Sequence, residues 1–118
     1  MEQLISLLFL ARDIAHREHL RTDSYARHMA LGSFYDDIVE HADAIAEAYM
    51  GSYGVLSDFD ISPSKSSPDI IKELERHVTW IDTHRYKACS KDDTPIQNLI
   101  DGAVETYLST LYKLKRFK

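Results

Sequence analysis

The chain has 118 residues, a formal net charge of −5 and a hydrophobic fraction of 44%. This length suits one domain that can bury its own core, and no apolar run approaches the roughly 20 residues of a membrane span. The acidic balance disfavours DNA binding, while the single cysteine, Cys89, excludes a disulfide framework and fits a reducing cytoplasm.

Apolar residues recur at helical spacing along almost the whole chain. The first helix is predicted at about residues 3–21 and the second at about residues 25–50 of a domain spanning residues 1–118. The segment Gly51-Ser52-Tyr53-Gly54 is predicted to end the second helix. The predicted core-facing residues are Leu4, Leu8, Ala11 and Ala15 on the first helix, and Leu31, Phe34, Ile38, Ala42, Ile45 and Tyr49 on the second.

A crossover loop is predicted over residues 53–67. The third helix follows at about residues 68–89, with Ser67 as its cap and Pro68 in its first turn. On this helix His77 and His84 are predicted to lie on a solvated face, and the alternative is a second metal face that includes Glu73.

The fourth helix is predicted at about residues 95–115, opened by a capping box of Thr94 and Gln97. The links within each helix pair are short, and the link between the pairs is long. This pattern predicts an all-α, ferritin-like four-helix bundle, in which two antiparallel hairpins are joined by a crossover.

Four residues of the first hairpin have the types and spacing of a metal site. His16 and His28 flank the turn around Thr22, so antiparallel helices would place the two imidazoles level with each other. Asp43 and Glu47 lie one helical turn apart and share a face. At the helical rise, Asp43 lies about 22 Å from His28, whereas metal–ligand bonds are about 2.0–2.2 Å long. A second copy of the chain would have to supply the two carboxylates.

With these four residues at this spacing, residues 1–52 resemble the Dps family, the mini-ferritins. The resemblance implies a homodimer or larger homo-oligomer with intersubunit iron sites. His16 and His28 would bind Fe from one chain, and Asp43 and Glu47 would bind it from the partner. Such a site would act as a ferroxidase, oxidising Fe(II) with peroxide or oxygen.

Gly32 departs from the family pattern, which has an acid four residues after His28. Glycine inside a helix costs roughly 1 kcal/mol relative to alanine, so Gly32 either marks a close helix crossing or leaves the site mononuclear or inactive. Asp13 is the candidate substitute acid. The opening helix also resembles small bacteriophage proteins with ferritin-like folds. The alternative hypothesis is therefore a non-enzymatic helical interaction module, phage or bacterial, that has lost metal chemistry.

Overall fold

The computed structural model describes residues 1–64 and 69–118, and the regular structure within them is entirely helical. These residues contain four helices: α1 (Glu2–Arg21), α2 (Tyr25–Tyr53), α3 (Ile70–Ala88) and α4 (Thr94–Arg116). The prediction of an all-α, four-helix protein is confirmed. Within the same ranges, no helix combines the length and apolarity needed to cross a membrane.

The helices pack as two hairpins with a crossover between diagonal corners. α1 and α4 each pack against both α2 and α3, whereas α2 and α3 do not pack against each other in the described part of the chain. α2 ends beside the α3–α4 link, where the Tyr53 hydroxyl donates to Asp93. The crossover then returns along α1, held by bonds from Ser6 to the Asp60 carbonyl and from Arg17 to Ser64. α2 and α3 therefore run in the same direction.

The predicted apolar faces of α1 and α2 form much of the core. All the residues predicted to face it are buried except Tyr49, which is half-buried. Phe34 of α2 meets Tyr107 of α4 edge-on, with ring centroids 5.0 Å apart. Fully burying a side chain of this size contributes about 1.5–3 kcal/mol, so these faces hold the helices together.

The end of α2 differs from the prediction. The helix continues past Gly51 to Tyr53, and Gly54, with a φ of 92°, terminates it. Only glycine adopts that backbone conformation readily. The predicted terminating segment, Gly51 to Gly54, contains the glycine that ends α2, but the helix runs three residues beyond the predicted end at about residue 50. The positive φ falls at Gly54, after the ring of Tyr53 has packed against Tyr49 at a centroid distance of 4.9 Å.

The caps of α3 and α4 are aspartates. Asp69 precedes α3 and accepts from the backbone N–H of Lys72 at 3.2 Å, while the predicted Ser67 and Pro68 lie outside the described residues. Asp93 caps α4 by accepting from the N–H of Ile96. The predicted capping box was wrong, because the Gln97 side chain is buried against the end of α3.

Candidate functional site

Two histidines, His19 and His28, join the end of α1 to the start of α2 in a contact that we call the histidine clasp. Nδ1 of His19 lies 2.6 Å from the backbone oxygen of His28, and Nδ1 of His28 lies 2.8 Å from the backbone oxygen of His19. The rings stack with centroids 3.7 Å apart. Because a carbonyl oxygen only accepts, both Nδ1 atoms carry hydrogen and, in the neutral rings, both Nε2 atoms hold the lone pair.

The clasp satisfies a backbone group that α1 leaves without a helical partner. The carbonyl of His19 is in the last turn of α1, where carbonyls lack intrahelical donors. His28 supplies that donor from the first turns of α2. The clasp is therefore a structural fastening of the hairpin.

Gly32 makes room for the clasp. A Cβ built at Gly32 would lie 3.1 Å from Cε1 and 3.2 Å from Nδ1 of His19. Gly32 was explained either by a close helix crossing or by the loss of a metal ligand. The contact with His19 is the one expected of a close helix crossing. The neighbouring ring belongs to His19 of α1.

His16 has a different neighbour from the one predicted. Its exposed ring stacks on Tyr35, with centroids 4.1 Å apart and an interplanar angle of 10°. The predicted level pairing of His16 with His28 was wrong, because His19 occupies the position against His28. The hairpin is centred after Thr22 since the chain needs Thr22 to Ser24 to leave α1 and to cap α2.

The predicted carboxylate ligands lie apart from these histidines within one chain. Asp43 and Glu47 are exposed on α2, and Asp13 pairs with Arg12 at 3.2 Å on α1. Across residues 1–64 and 69–118, no group of three or more histidine, cysteine or acidic side chains is positioned to hold a metal. A site that uses all four predicted ligands needs a second chain.

A second candidate region lies where the start of α2 meets the end of α4. One groove of about 320 Å³ has Met29 of α2 and Phe117 beyond α4 among its walls. A neighbouring groove of about 440 Å³ lies between α3 and α4 and includes Leu108 and Tyr112. The rings of Tyr112 and Phe117, one from each groove, meet edge-on with centroids 5.7 Å apart. We call the surface formed by these four side chains the α2–α4 surface.

The sequence interpretation missed a buried polar pair in the core. His77 is only 4% exposed, and its Nδ1 lies 2.9 Å from the hydroxyl of Tyr107, which is fully buried. Burial lowers the pKa of His77 to about 4, against a smaller opposing effect of Glu73. The predicted solvated face was wrong for His77, because position 77 falls on the buried stripe of α3 between Leu74 and Ile81.

These features define a small all-α protein with a histidine-fastened hairpin and an exposed apolar end. Residues 19–114 match a family model described as a family of unknown function, DUF5856, and the chain belongs to that family. It is also similar to an uncharacterized 14.6 kDa protein from the mobD–ri intergenic region of Enterobacteria phage T4. The identity is 30% over 115 residues, which cover 96% of this chain and 86% of the phage protein. No solved structure matches the chain.

Proposed function

We propose that this protein is a non-enzymatic helical interaction module whose α2–α4 surface binds an acidic, amphipathic helix of a partner protein. The observation that carries the proposal is the contact between Tyr112 and Phe117, which sets an aromatic ring of one groove beside an aromatic ring of the other. The similarity of the chain to a phage protein supports a phage or bacterial setting for such a module.

The apolar side chains of this surface are half exposed. Met29, Tyr112 and Phe117 are 51%, 56% and 51% accessible. Covering the exposed half of an aromatic side chain removes roughly 100 Å² from water, which is about 2–3 kcal/mol at 25 cal/mol per Å². Clustered large side chains of this kind are typical of binding surfaces.

The charge of the same surface indicates the partner's chemistry. Lys113 lines the groove beside Phe117, while Lys115 and Arg116 line the groove beside Tyr112. Lys115 pairs with Glu75, but Lys113 and Arg116 form no ion pair with the described residues. Cations around an apolar strip complement a helix that carries leucine-like residues on one face and carboxylates at its edges.

The histidine clasp supports the non-enzymatic hypothesis. Packing and backbone bonding account for His19, His28 and Gly32 without a metal. The stack on Tyr35 does the same for His16. Histidines with complete structural roles are expected in a bundle that has no metal chemistry.

Binding can be tested with a fluorescein-labelled amphipathic helix made of leucine and glutamate, followed by fluorescence anisotropy. We expect saturable binding that weakens with salt. Phe117→Ser should weaken it about tenfold or more, since it removes a half-exposed ring, and Lys113→Glu should weaken it through charge. The matched control is Val55→Ser, which removes an exposed apolar side chain from the crossover loop.

Two comparison peptides make the result specific. A scrambled peptide of the same composition lacks the apolar face, and a leucine–lysine helix reverses the charge. The proposal fails if the leucine–glutamate helix does not bind, if either comparison peptide binds equally well, or if Phe117→Ser and Lys113→Glu behave like Val55→Ser.

A second candidate function is the Dps-like intersubunit iron site in a ferritin-like bundle. It is supported by the diagonal crossover from α2 to α3 and by the exposure of Asp43 and Glu47 on α2. Asp36, Asp37 and Glu40 are also exposed on this helix. Pairing two α2 helices antiparallel would crowd carboxylates of both copies, which repel each other unless cations lie between them. A dimer of this kind should therefore require metal.

Light scattering with and without anaerobic Fe(II) tests the second candidate. Metal-dependent dimerisation should disappear in Glu47→Ala, and a mixture of His28→Ala with Glu47→Ala should recover one site per heterodimer. That recovery is expected because one interface site would draw all its ligands from intact positions. A monomer whose mass Fe(II) does not change would eliminate the intersubunit site and leave the interaction module.

A further inference from the structure

A cleft of about 800 Å³ lies between the start of α1, the crossover loop and the middle of α3. Its walls include the carboxylates of Glu2, Asp58 and Asp60, together with Trp80, Leu7 and Leu10. It lies apart from the α2–α4 surface, whose grooves share none of these residues. The cleft thus needs an explanation of its own.

The loop wall of the cleft is held in place. The Ser6 hydroxyl donates to the backbone oxygen of Asp60 at 2.7 Å, and the ring of Phe59 packs against Phe9 with centroids 5.9 Å apart. Because these contacts attach both neighbouring loop residues to α1, the cleft exists before any ligand arrives, which reduces the entropic cost of binding.

Among the described side chains that line the cleft, the only charged ones are negative. No lysine, arginine or histidine occurs among its described lining residues. Oε2 of Glu2 is buried and lacks a hydrogen-bond partner in the described part of the chain. Met1 also lines the cleft, but its backbone nitrogen does not bond this oxygen. An unsatisfied buried oxygen costs about 1–3 kcal/mol, and more when it is charged. A ligand that donates to this oxygen would recover that cost.

The remaining wall is apolar and aromatic. Trp80 stacks on His84 with centroids 4.3 Å apart, which orients its indole, and Leu7 and Leu10 lie on the same cleft. Indole attracts cations better than any other side-chain ring, while leucines favour an alkyl stem. Carboxylates, an indole and leucines together match a molecule that carries both features.

We propose that this cleft binds an organic cation, an ammonium or guanidinium group on an alkyl stem. The carboxylate of Glu2 would pair with the cation and accept its hydrogen bond, while Asp58 and Asp60 would add to the negative electrostatic potential of the cleft. Its stem would lie along Leu7 and Leu10 beside Trp80. The source is either a free polyamine or a lysine or arginine side chain of a partner protein.

Trp80 is the single tryptophan of the chain, so intrinsic fluorescence reports directly on the cleft. The two probes are spermidine and an acetylated, amidated Gly-Arg-Gly peptide, titrated at constant pH and ionic strength. We expect a saturable change in Trp80 emission with at least one probe. Glu2→Gln should weaken binding about tenfold, in line with a lost charged hydrogen bond.

Glu105→Gln is the matched control, because it removes one carboxylate from an exposed position on α4 and should leave the affinity unchanged. Asp58→Asn provides a second cleft variant that lies outside any helix. Saturation by spermidine indicates a free polyamine, and saturation by the peptide indicates a partner's side chain. The proposal is overturned if neither probe changes the emission, or if Glu105→Gln weakens binding as much as Glu2→Gln does.

Discussion

The buried His77 should make the stability of the protein depend on pH in a predictable direction. In the folded chain its Nδ1 faces the hydroxyl of Tyr107 in the core. The charged neighbours are Glu73, which favours the protonated ring, and Arg76, which opposes it. Burial outweighs both neighbours and lowers the pKa of His77 from 6.5 to about 4. The folded state therefore holds the ring neutral where the unfolded state would protonate it.

The magnitude follows from the difference between the two pKa values. Below pH 6.5 the unfolded chain binds a proton that the folded chain accepts only near pH 4, so stability falls as the pH falls through this window. At 1.36 kcal/mol for each unit, the full loss is about 3 kcal/mol. By about pH 5, about 2 kcal/mol of it should already be lost. Well above pH 6.5 the ring of His77 is neutral in both states, so none of this stability is lost.

Urea unfolding followed by circular dichroism measures this dependence. The free energy of unfolding of the wild type should fall between about pH 7.5 and about pH 5 by about 2 kcal/mol more than that of His77→Gln. The comparison uses the slope with pH, so any constant cost of the substitution cancels. His84→Gln, on the same helix, should keep the wild-type slope. Parallel curves for the wild type and His77→Gln would refute the argument that His77 is held neutral in the core.

Substitutions at three further positions test the packing and the hydrogen bonds of single residues. Gly32→Ala should destabilise the protein by about 1 kcal/mol, because overpacking against the fastened His19 ring exceeds the gain in helix propensity; a raised melting temperature would contradict this. Gln97→Leu should cost about 2–3 kcal/mol, since it leaves carbonyls at the end of α3 without a donor, and an unchanged urea midpoint would argue against that role. Ser24→Ala should cost about 1 kcal/mol through loss of the α2 cap, and Ser24→Gly should cost less in the same assay.

The sequence predicted the helices and most of the core because apolar periodicity is strong on α1 and α2. Every residue predicted on the inner face of α1 is buried, as are Phe34 and Ile38 of α2. Periodicity failed at His77, since a polar residue on the buried stripe looks like an interruption of the pattern. Its acceptance in the core depends on Tyr107, thirty residues later in the chain, and local spacing cannot reveal a partner so distant.

Helix ends and the hairpin register were less predictable for the same reason. Gln97 satisfies the local rule for a capping box, but its side chain donates to the backbone oxygen of Cys89 at 2.9 Å instead. His16 and His28 are symmetric about Thr22 in sequence, yet the ring that meets His28 belongs to His19. A spacing that is symmetric about Thr22 makes two side chains level only if the turn is centred there, and the residues that leave α1 and cap α2 move the centre beyond Thr22.

Histidine–glycine contacts recur in this bundle and bear on how its histidines should be interpreted. The His41 ring lies over Gly102, where an added Cβ would come within 3.2 Å of Cε1, and its Nε2 bonds Thr106 at 2.9 Å. The clasp repeats this arrangement between α1 and α2, where the ring of His19 lies over Gly32. In both places the missing side chain of a glycine lets an imidazole ring enter the interface between two helices, where one ring nitrogen forms a hydrogen bond.

Histidine spacing on α1 and α2 can therefore arise from packing alone, whereas the exposed carboxylates have no comparable packing role. This difference ranks the variants that test for metal. His28→Ala disrupts the clasp, so it should lower stability whether or not iron binds. Glu47→Gln changes an exposed side chain on α2 and should leave stability within about 0.5 kcal/mol of the wild type. Loss of Fe(II) binding in Glu47→Gln at unchanged stability would thus be evidence that Glu47 is a metal ligand. Loss of binding in His28→Ala alone would be explained by disruption of the clasp.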